Sequence, residues 1–564
     1  MKKYWIQIVF VCGLLTGCAV SEDAGDCEMV GVNNSDPVEK ELIDLELNGQ
    51  KVVVEKVDGQ LIFQGDIVFD EDHSMDSCTR GAGLVPWSFQ KWTNNSVFYV
   101  IDSSIPDSRV ILAAIKDWQK NSNLTFFPRI AQSNYIRFVR SATVNNSYVG
   151  MRRGEQIINL YNYNNFGTVA HEIGHALGLW HEHTRADRDN HILIDWSNIK
   201  EGSKHNFYIY DSGMDYGPFD FNSIMIYGSY ITDLNMVYDP AKPVMTKLDR
   251  TTFEDGNVIS EGDRYAIQTI YPTVKIYGDA TWKPVPADYD GDGRADLSVK
   301  TDDGYWLIDY ARNGYGKWDE VLAEYGFEDA VPAVADYDGD GKADLSVKDA
   351  AGGWYIDYAK DGFGGWNAAF SSYGGSFAIP VPADYDGDGK ADLSIKTNDG
   401  KWFIDYSNNG FRGWDVYLSS YGFEDAVPAV ADYDGDGKAD LSVKDAAGGW
   451  YIDYAKDGFG GWNAAFSSYG GSFAVPVPAD YDGDGKADLS IKTDDGKWCI
   501  DYSNNGFRGW DVYLSGYGES SAIPVPTDYD GDGKDDLAGK NDTGQWYLDY
   551  AADGFGGWNW SSSN

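Results

Sequence analysis

Apolar and polar positions change rhythm along the chain, and each rhythm predicts a different kind of structure. Alternation of period two runs through residues 42–47, 51–57 and 61–69, which predicts short strands in a small leading segment that ends near Arg80. From residue 85 to 272 the pattern is mixed. Residues 97–101 read as a strand, and Asp107 is placed to cap a helix with Val110, Ala114, Ile115 and Trp118 on its buried side. Further strands are expected over 135–139, 147–151 and 156–160, and a second helix begins near Phe166. From Tyr277 onward the sequence repeats itself: Asp288, Asp336, Asp384, Asp432, Asp480 and Asp528 stand 48 residues apart, and six such units fill 277–564. Each unit offers three or four short strands between Gly-rich turns, which predicts the blades of a six-bladed β-propeller. Tyr277-Gly278 stands in front of the first unit, and the last unit lacks the same pair at its end, as in a ring closed by its own two termini.

Charge narrows the partners. With 89 acidic against 45 basic residues and a formal charge of −44, the chain repels nucleic acid phosphate. The first eighteen residues, MKKYWIQIVFVCGLLTGC, have a basic start, a short apolar run and small residues before Cys18, the pattern of an export signal. Leu15-Thr16-Gly17-Cys18 resembles the bacterial lipobox, which implies lipid on Cys18 and an outer-membrane or surface precursor whose only membrane attachment is that anchor. Past the signal only Cys27, Cys78 and Cys499 remain, too few for a disulfide scaffold; Cys27 and Cys78 can pair, and Cys499 reads as a buried apolar side chain.

The chemistry is concentrated after Phe166, in His171-Glu172-Ile-Gly-His175-Ala-Leu-Gly178-Leu-Trp-His181, an H-E-x-x-H-x-x-G-x-x-H sequence. Residues four apart share a helical face, so His171 and His175 can meet one ion, with Glu172 beside them. Gly178 allows the left-handed turn that ends the helix and brings His181 round as third nitrogen ligand. Three neutral nitrogens and a neighbouring carboxylate suit zinc and hydrolysis: zinc lowers the pKa of water to about 7, and Glu172 takes the proton as general base.

With its continuation, His181-Glu182-His-Thr-Arg185-Ala-Asp187-Arg188, this segment resembles the signature of the astacin metallopeptidases, a metzincin family, over about 84–272. The resemblance implies an α+β zinc endopeptidase domain acting on polypeptides, expected as a monomer. Ser223-Ile224-Met225-Ile226-Tyr227 is similar to the family's Met-turn, which implies Met225 as the base beneath zinc and Tyr227 as a switchable ligand that later stabilises the oxyanion. Ser147-Tyr148-Val149-Gly150 resembles the upper edge strand that pairs with substrate. Glu182 matches the acid that receives the N-terminus released by cleavage near Arg80. Phe63-Gln64-Gly65-Asp66 resembles the prosegment motif, implying Asp66 as zinc ligand in a latent precursor, with Cys78 as a competing thiolate. The family's disulfides have no counterpart, because no cysteine stands between Cys78 and Cys499.

The repeats carry D-x-D-G-D-G-x-x-D. Its carboxylates are Asp288, Asp290, Asp292 and Asp296 in the first unit, Asp336, Asp338, Asp340 and Asp344 in the second, and Asp384, Asp386, Asp388 and Asp392 in the third. Asp432, Asp434, Asp436 and Asp440 follow, then Asp480, Asp482, Asp484 and Asp488, and last Asp528, Asp530, Asp532 and Asp536. These are hard-oxygen loops for about one calcium ion per unit; Val299 at the closing position of an EF-hand excludes that fold. The loop resembles the calcium hairpin of FG-GAP or VCBS-type propeller blades. Trp306, Trp318, Trp354 and Trp366 are either blade core or platforms for sugar rings. The domain plan is therefore 1–18 signal, 19–80 prosegment, 81–272 protease and 273–564 repeats. The competing function is a calcium-dependent adhesin or lectin that binds glycan or matrix.

Overall fold

Short alternating segments near the start form a four-stranded sheet, β1 (Glu41–Leu47), β2 (Gln50–Val57), β3 (Gln60–Phe63) and β4 (Ile67–Phe69), in that spatial order. The computed structural model describes residues 41–47, 50–57, 59–69, 91–210, 214–272, 281–326, 329–422, 426–518 and 520–562. The signal, Cys18, Cys27, Cys78, the cleavage region near Arg80 and Tyr277 lie outside these. Residues 61–69, expected as one strand, are two, because Gln64 and Gly65 both have positive φ and turn the chain. The sheet buries Val52, Val54, Leu61, Phe63, Ile67 and Phe69 against Tyr210, with Trp180 and Val149 packed alongside.

The protease region is built on a parallel sheet of order β6-β5-β7-β8, made of β5 (Ser96–Ile101), β6 (Thr125–Pro128), β7 (Tyr135–Arg140) and β8 (Glu155–Leu160). Parallel strands need crossovers, and α1 (Arg109–Lys120) supplies the one from β5 to β6. Its buried stripe is Ile111, Ala114, Ile115 and Trp118; the N-cap is Ser108, and Asp107 instead accepts the Arg109 amide. Residues 147–151 form no ladder strand. Ser147 makes a parallel bridge to Ile67 of the leading segment, and Asn146 an antiparallel one to Asn159. After α2 (Phe166–Ala176) the chain is largely irregular, with a small two-stranded pairing of β9 (Ile192–Ile194) and β10 (Met245–Lys247), and α3 (Glu261–Ile270) returns to the main core.

The repeats form four-stranded antiparallel sheets, six among the described residues. The first is β11 (Lys283–Pro284), β12 (Leu297–Lys300), β13 (Trp306–Asp309) and β14 (Glu320–Leu322). Trp306 and Trp354 are completely buried and Trp318 nearly so, which settles these three as sheet core; Trp366 keeps part of its surface. The Trp306 indole donates to Ser298 Oγ at 2.8 Å, a bond repeated in the next four units. Consecutive sheets are tied by one recurring backbone bond, as from Ala343 N to Asp288 O at 2.7 Å, and the same bond runs from Ala295 of the first unit to Asp528 of the last. The first sheet also rests on the protease region: Tyr305 donates to Pro128 O at 2.7 Å and meets the Phe127 ring, while Gln119 donates to Trp318 O. Residues from Leu42 onward form one compact unit.

Candidate metal centre and active site

Asn165 caps α2 by accepting the Thr168 amide at 2.9 Å, and the helix then presents His171 and His175 one turn apart. It ends at Gly178, whose φ of +109° lets Leu179 N reach Gly174 O and Gly178 N reach His175 O. That reversal carries His181 back over the helix. Each ring is oriented through Nδ1: His171 on Ile224 O at 2.7 Å, His175 on Leu179 O at 2.8 Å, and His181 on Gln64 Oε1 at 3.2 Å. With Nδ1 so engaged, the Nε2 atoms converge, and one ligand atom from each of His171, His175, His181 and Asp66 lies within 4.8 Å of the others.

This donor set fits zinc. His175 is pushed down to about 4, chiefly by burial, so its imidazole is neutral at neutral pH, and its buried Nε2 has no hydrogen-bond partner. Asp66 Oδ1 stands 3.1 Å from His181 Nε2 and 3.5 Å from His175 Nε2, and its Oδ2 stands 3.4 Å from His171 Nε2. Glu172 is buried with Oε2 unpartnered; burial first, and the Asp66 charge second, push its carboxyl well above the usual range. Tyr227 donates to Gln64 O at 2.8 Å, its hydroxyl is 3.1 Å from Asp66 Oδ2, and its ring packs on His181 and His183.

The surrounding residues pack about this centre. Met225 is buried beneath the helix, and a Cβ on Gly174 would come 2.7 Å from its sulfur, so glycine there permits the contact. Glu182 Oε1 accepts the Asp220 amide at 2.8 Å and lies 3.4 Å from Arg185; burial raises its carboxyl to about 7 against the pull of Arg185. Val149 packs on the leading sheet, and Tyr148 lies under the Arg152 guanidinium. Two residues contribute in ways their sequence positions do not announce. Asp263 in α3 accepts from Ser223 Oγ at 2.6 Å and Ile224 N at 2.8 Å, thereby holding the residue on whose carbonyl His171 rests. Its one signal in the sequence is the Ser260-x-x-Asp263 capping box. Gln64 is the other.

In the repeats the structure gathers three of the four carboxylates. Asp288, Asp290 and Asp296 converge, as do their counterparts in the second to fourth units, while Asp292 turns outward to Arg294 at 2.6 Å. Asp296 is fully buried, and burial, followed by backbone hydrogen bonds that oppose it and the charges of Asp290 and Asp288, leaves it at about 7. Asp344, Asp392, Asp440, Asp488 and Asp536 are raised to the same value, again chiefly by burial.

Three oriented imidazoles, a buried acid beside them and a Met-turn beneath define a zinc metalloendopeptidase domain. Residues 86–272 match the family model of the astacin peptidases, and residues 384–443 match the FG-GAP-like repeat. The chain belongs to the astacin family: it is 34% identical over 151 residues to astacin-like metalloprotease toxin 5 of Loxosceles gaucho, covering 81% of that protein and 26% of this one. It is also 34% identical over 210 residues to flavastacin of Elizabethkingia meningoseptica, covering 35% of this chain and about half of flavastacin's length, 46%. Among solved structures, high choriolytic enzyme 1, a hatching enzyme zinc-protease of the medaka fish Oryzias latipes, is 28% identical, with TM-score 0.30 over 33% of this chain and 96% of that one.

Proposed function

We propose that this chain is a secreted or surface zinc endopeptidase, made as a latent precursor, that hydrolyses internal peptide bonds. The observation that carries it is the convergence of three Nδ1-anchored imidazoles beside the buried, unpartnered Glu172. His171, His175 and His181 would hold zinc, which would supply a Lewis acid and lower the pKa of water toward neutrality. Glu172 would take the proton of the attacking water and pass it to the leaving amine. Tyr227, once free of Gln64 and Asp66, donates its hydroxyl to the oxyanion. In the precursor Asp66 faces all three imidazoles, and the Ser147–Ile67 bridge occupies the edge next to Tyr148 and Val149, where an extended substrate would pair. Cleavage near Arg80 would release the lipid-bearing segment, and Glu182 would receive the new N-terminus.

Residues 273–564 would be a six-bladed propeller closed through the Ala295–Asp528 bond, with calcium at each acidic loop and a targeting role toward glycan or matrix; the converging carboxylates, one of them buried in each group, support the ion. Among the described residues no helix is long and apolar enough to cross a membrane. The test is casein hydrolysis by processed protein, with and without chelator, beside Glu172→Ala. Cleavage by the Glu172→Ala variant at the wild-type rate would refute the mechanism. Glycan-array binding by that inactive variant tests the repeats separately.

A further inference from the structure

Gln64 is an improbable glutamine by ordinary criteria. It is wholly buried, its φ of +53° lies in the region side chains rarely adopt, and its Nε2 has no hydrogen-bond partner. Each of these disfavours the residue, and strain that persists in a buried turn points to a task. Its contacts show what the task is. His171 and His175 rest their Nδ1 atoms on Ile224 O and Leu179 O, both within the protease region, but His181 rests on Gln64 Oε1, borrowed from the leading segment. The Gln64 carbonyl meanwhile takes the Tyr227 hydroxyl at 2.8 Å.

We propose that Gln64 is a positioning residue that forms a second lock on the latent site, fixing His181 through its side chain and Tyr227 through its backbone, in addition to the contacts both make with Asp66. This rests on the latent-precursor reading above. While the segment is docked, the third imidazole is held in a borrowed orientation and the oxyanion donor is engaged elsewhere. When it leaves, both are released together, so freeing the site is one cooperative event rather than the loss of a single carboxylate. Replacing Asp66 alone would open the metal side and leave Tyr227 occupied.

The test uses the full-length precursor. Gln64→Met keeps the bulk and removes the acceptor; Tyr227→Phe removes the hydroxyl that Gln64 O accepts. Hydrogen exchange across 59–69 in the zinc-free protein should rise roughly fivefold to tenfold in each variant, as expected for losing one buried hydrogen bond. The visible spectrum of the cobalt-substituted Gln64→Met precursor should also shift, because it reports the imidazole arrangement rather than stability. Wild-type exchange in both variants together with an unshifted spectrum, while Asp66→Ala alone frees the site, would overturn the second lock and leave the role of Asp66 standing. An Asp66→Ala precursor as latent as wild type would instead remove the reading on which the inference rests.

Discussion

The protease region and the repeats solve opposite problems with similar side chains. At the metal centre, residues from four separate stretches are brought together, Asp66, the His171–His181 segment, Tyr227 and, through Ile224, Asp263, and each occurs once. In the repeats one short segment is copied, and nearly every bond that holds a sheet recurs at intervals of 48 residues. A site assembled from single copies is fragile to any one change. A structure assembled from copies spreads its dependence, so a local loss is felt as a fraction of the whole.

The sharpest break in that contrast is chemical. Glu172→Ala should lower kcat/KM on a peptide by about 10²–10⁴-fold while the melting temperature stays near wild type, whereas Asp290→Asn should leave kcat/KM unchanged. Removing cations separates the halves by pH. Asp296 and its five counterparts bind their protons more tightly folded than unfolded, so their contribution is present at low pH and is lost as pH rises from the ordinary 3.8 through about 7. In chelator the melting of the repeats should therefore fall by about 10 °C between pH 5 and pH 8, and millimolar calcium should abolish the fall; a flat profile in chelator would count against buried carboxylates as the cause. A smaller effect is expected at Asp263→Ala, with zinc affinity reduced about 10–100-fold, measured by chelator competition. Smallest is Tyr305→Phe, costing about 1 kcal/mol in urea unfolding through the lost bond to Pro128.

What the sequence discloses follows the same division. The repeats declare their length and loop chemistry because periodicity multiplies a weak strand signal sixfold, and the metal helix declares itself because helical geometry fixes the His171–His175 spacing. Contacts between segments distant in sequence stay hidden. Nothing near Asp263 indicates that it holds Ile224, and Tyr305 stands where the other units have Gly353, Lys401, Gly449, Lys497 and Gln545, a departure whose meaning appears only when it meets Phe127. The 147–151 stretch departs from the expected strand for a physical reason: Ser147 bridges Ile67 while Gly150 N donates to His175 O at 2.8 Å, so its backbone serves two neighbours rather than one ladder. The repeated tryptophans are ambiguous in sequence until burial places Trp306 and Trp354 in the interior.

The joint at Tyr305 has a kinetic meaning. The first sheet is bonded to the protease region through Tyr305, Gln119 and Lys317, so a ligand held by the repeats, as proposed above, would be kept close to the protease region. If the repeats hold a substrate as proposed, even a weak hold would act as local enrichment, in about the millimolar range, and cleavage near the anchoring point would outpace cleavage in free solution. The Tyr305 hydroxyl and the Phe127 ring would then set the reach of the enzyme.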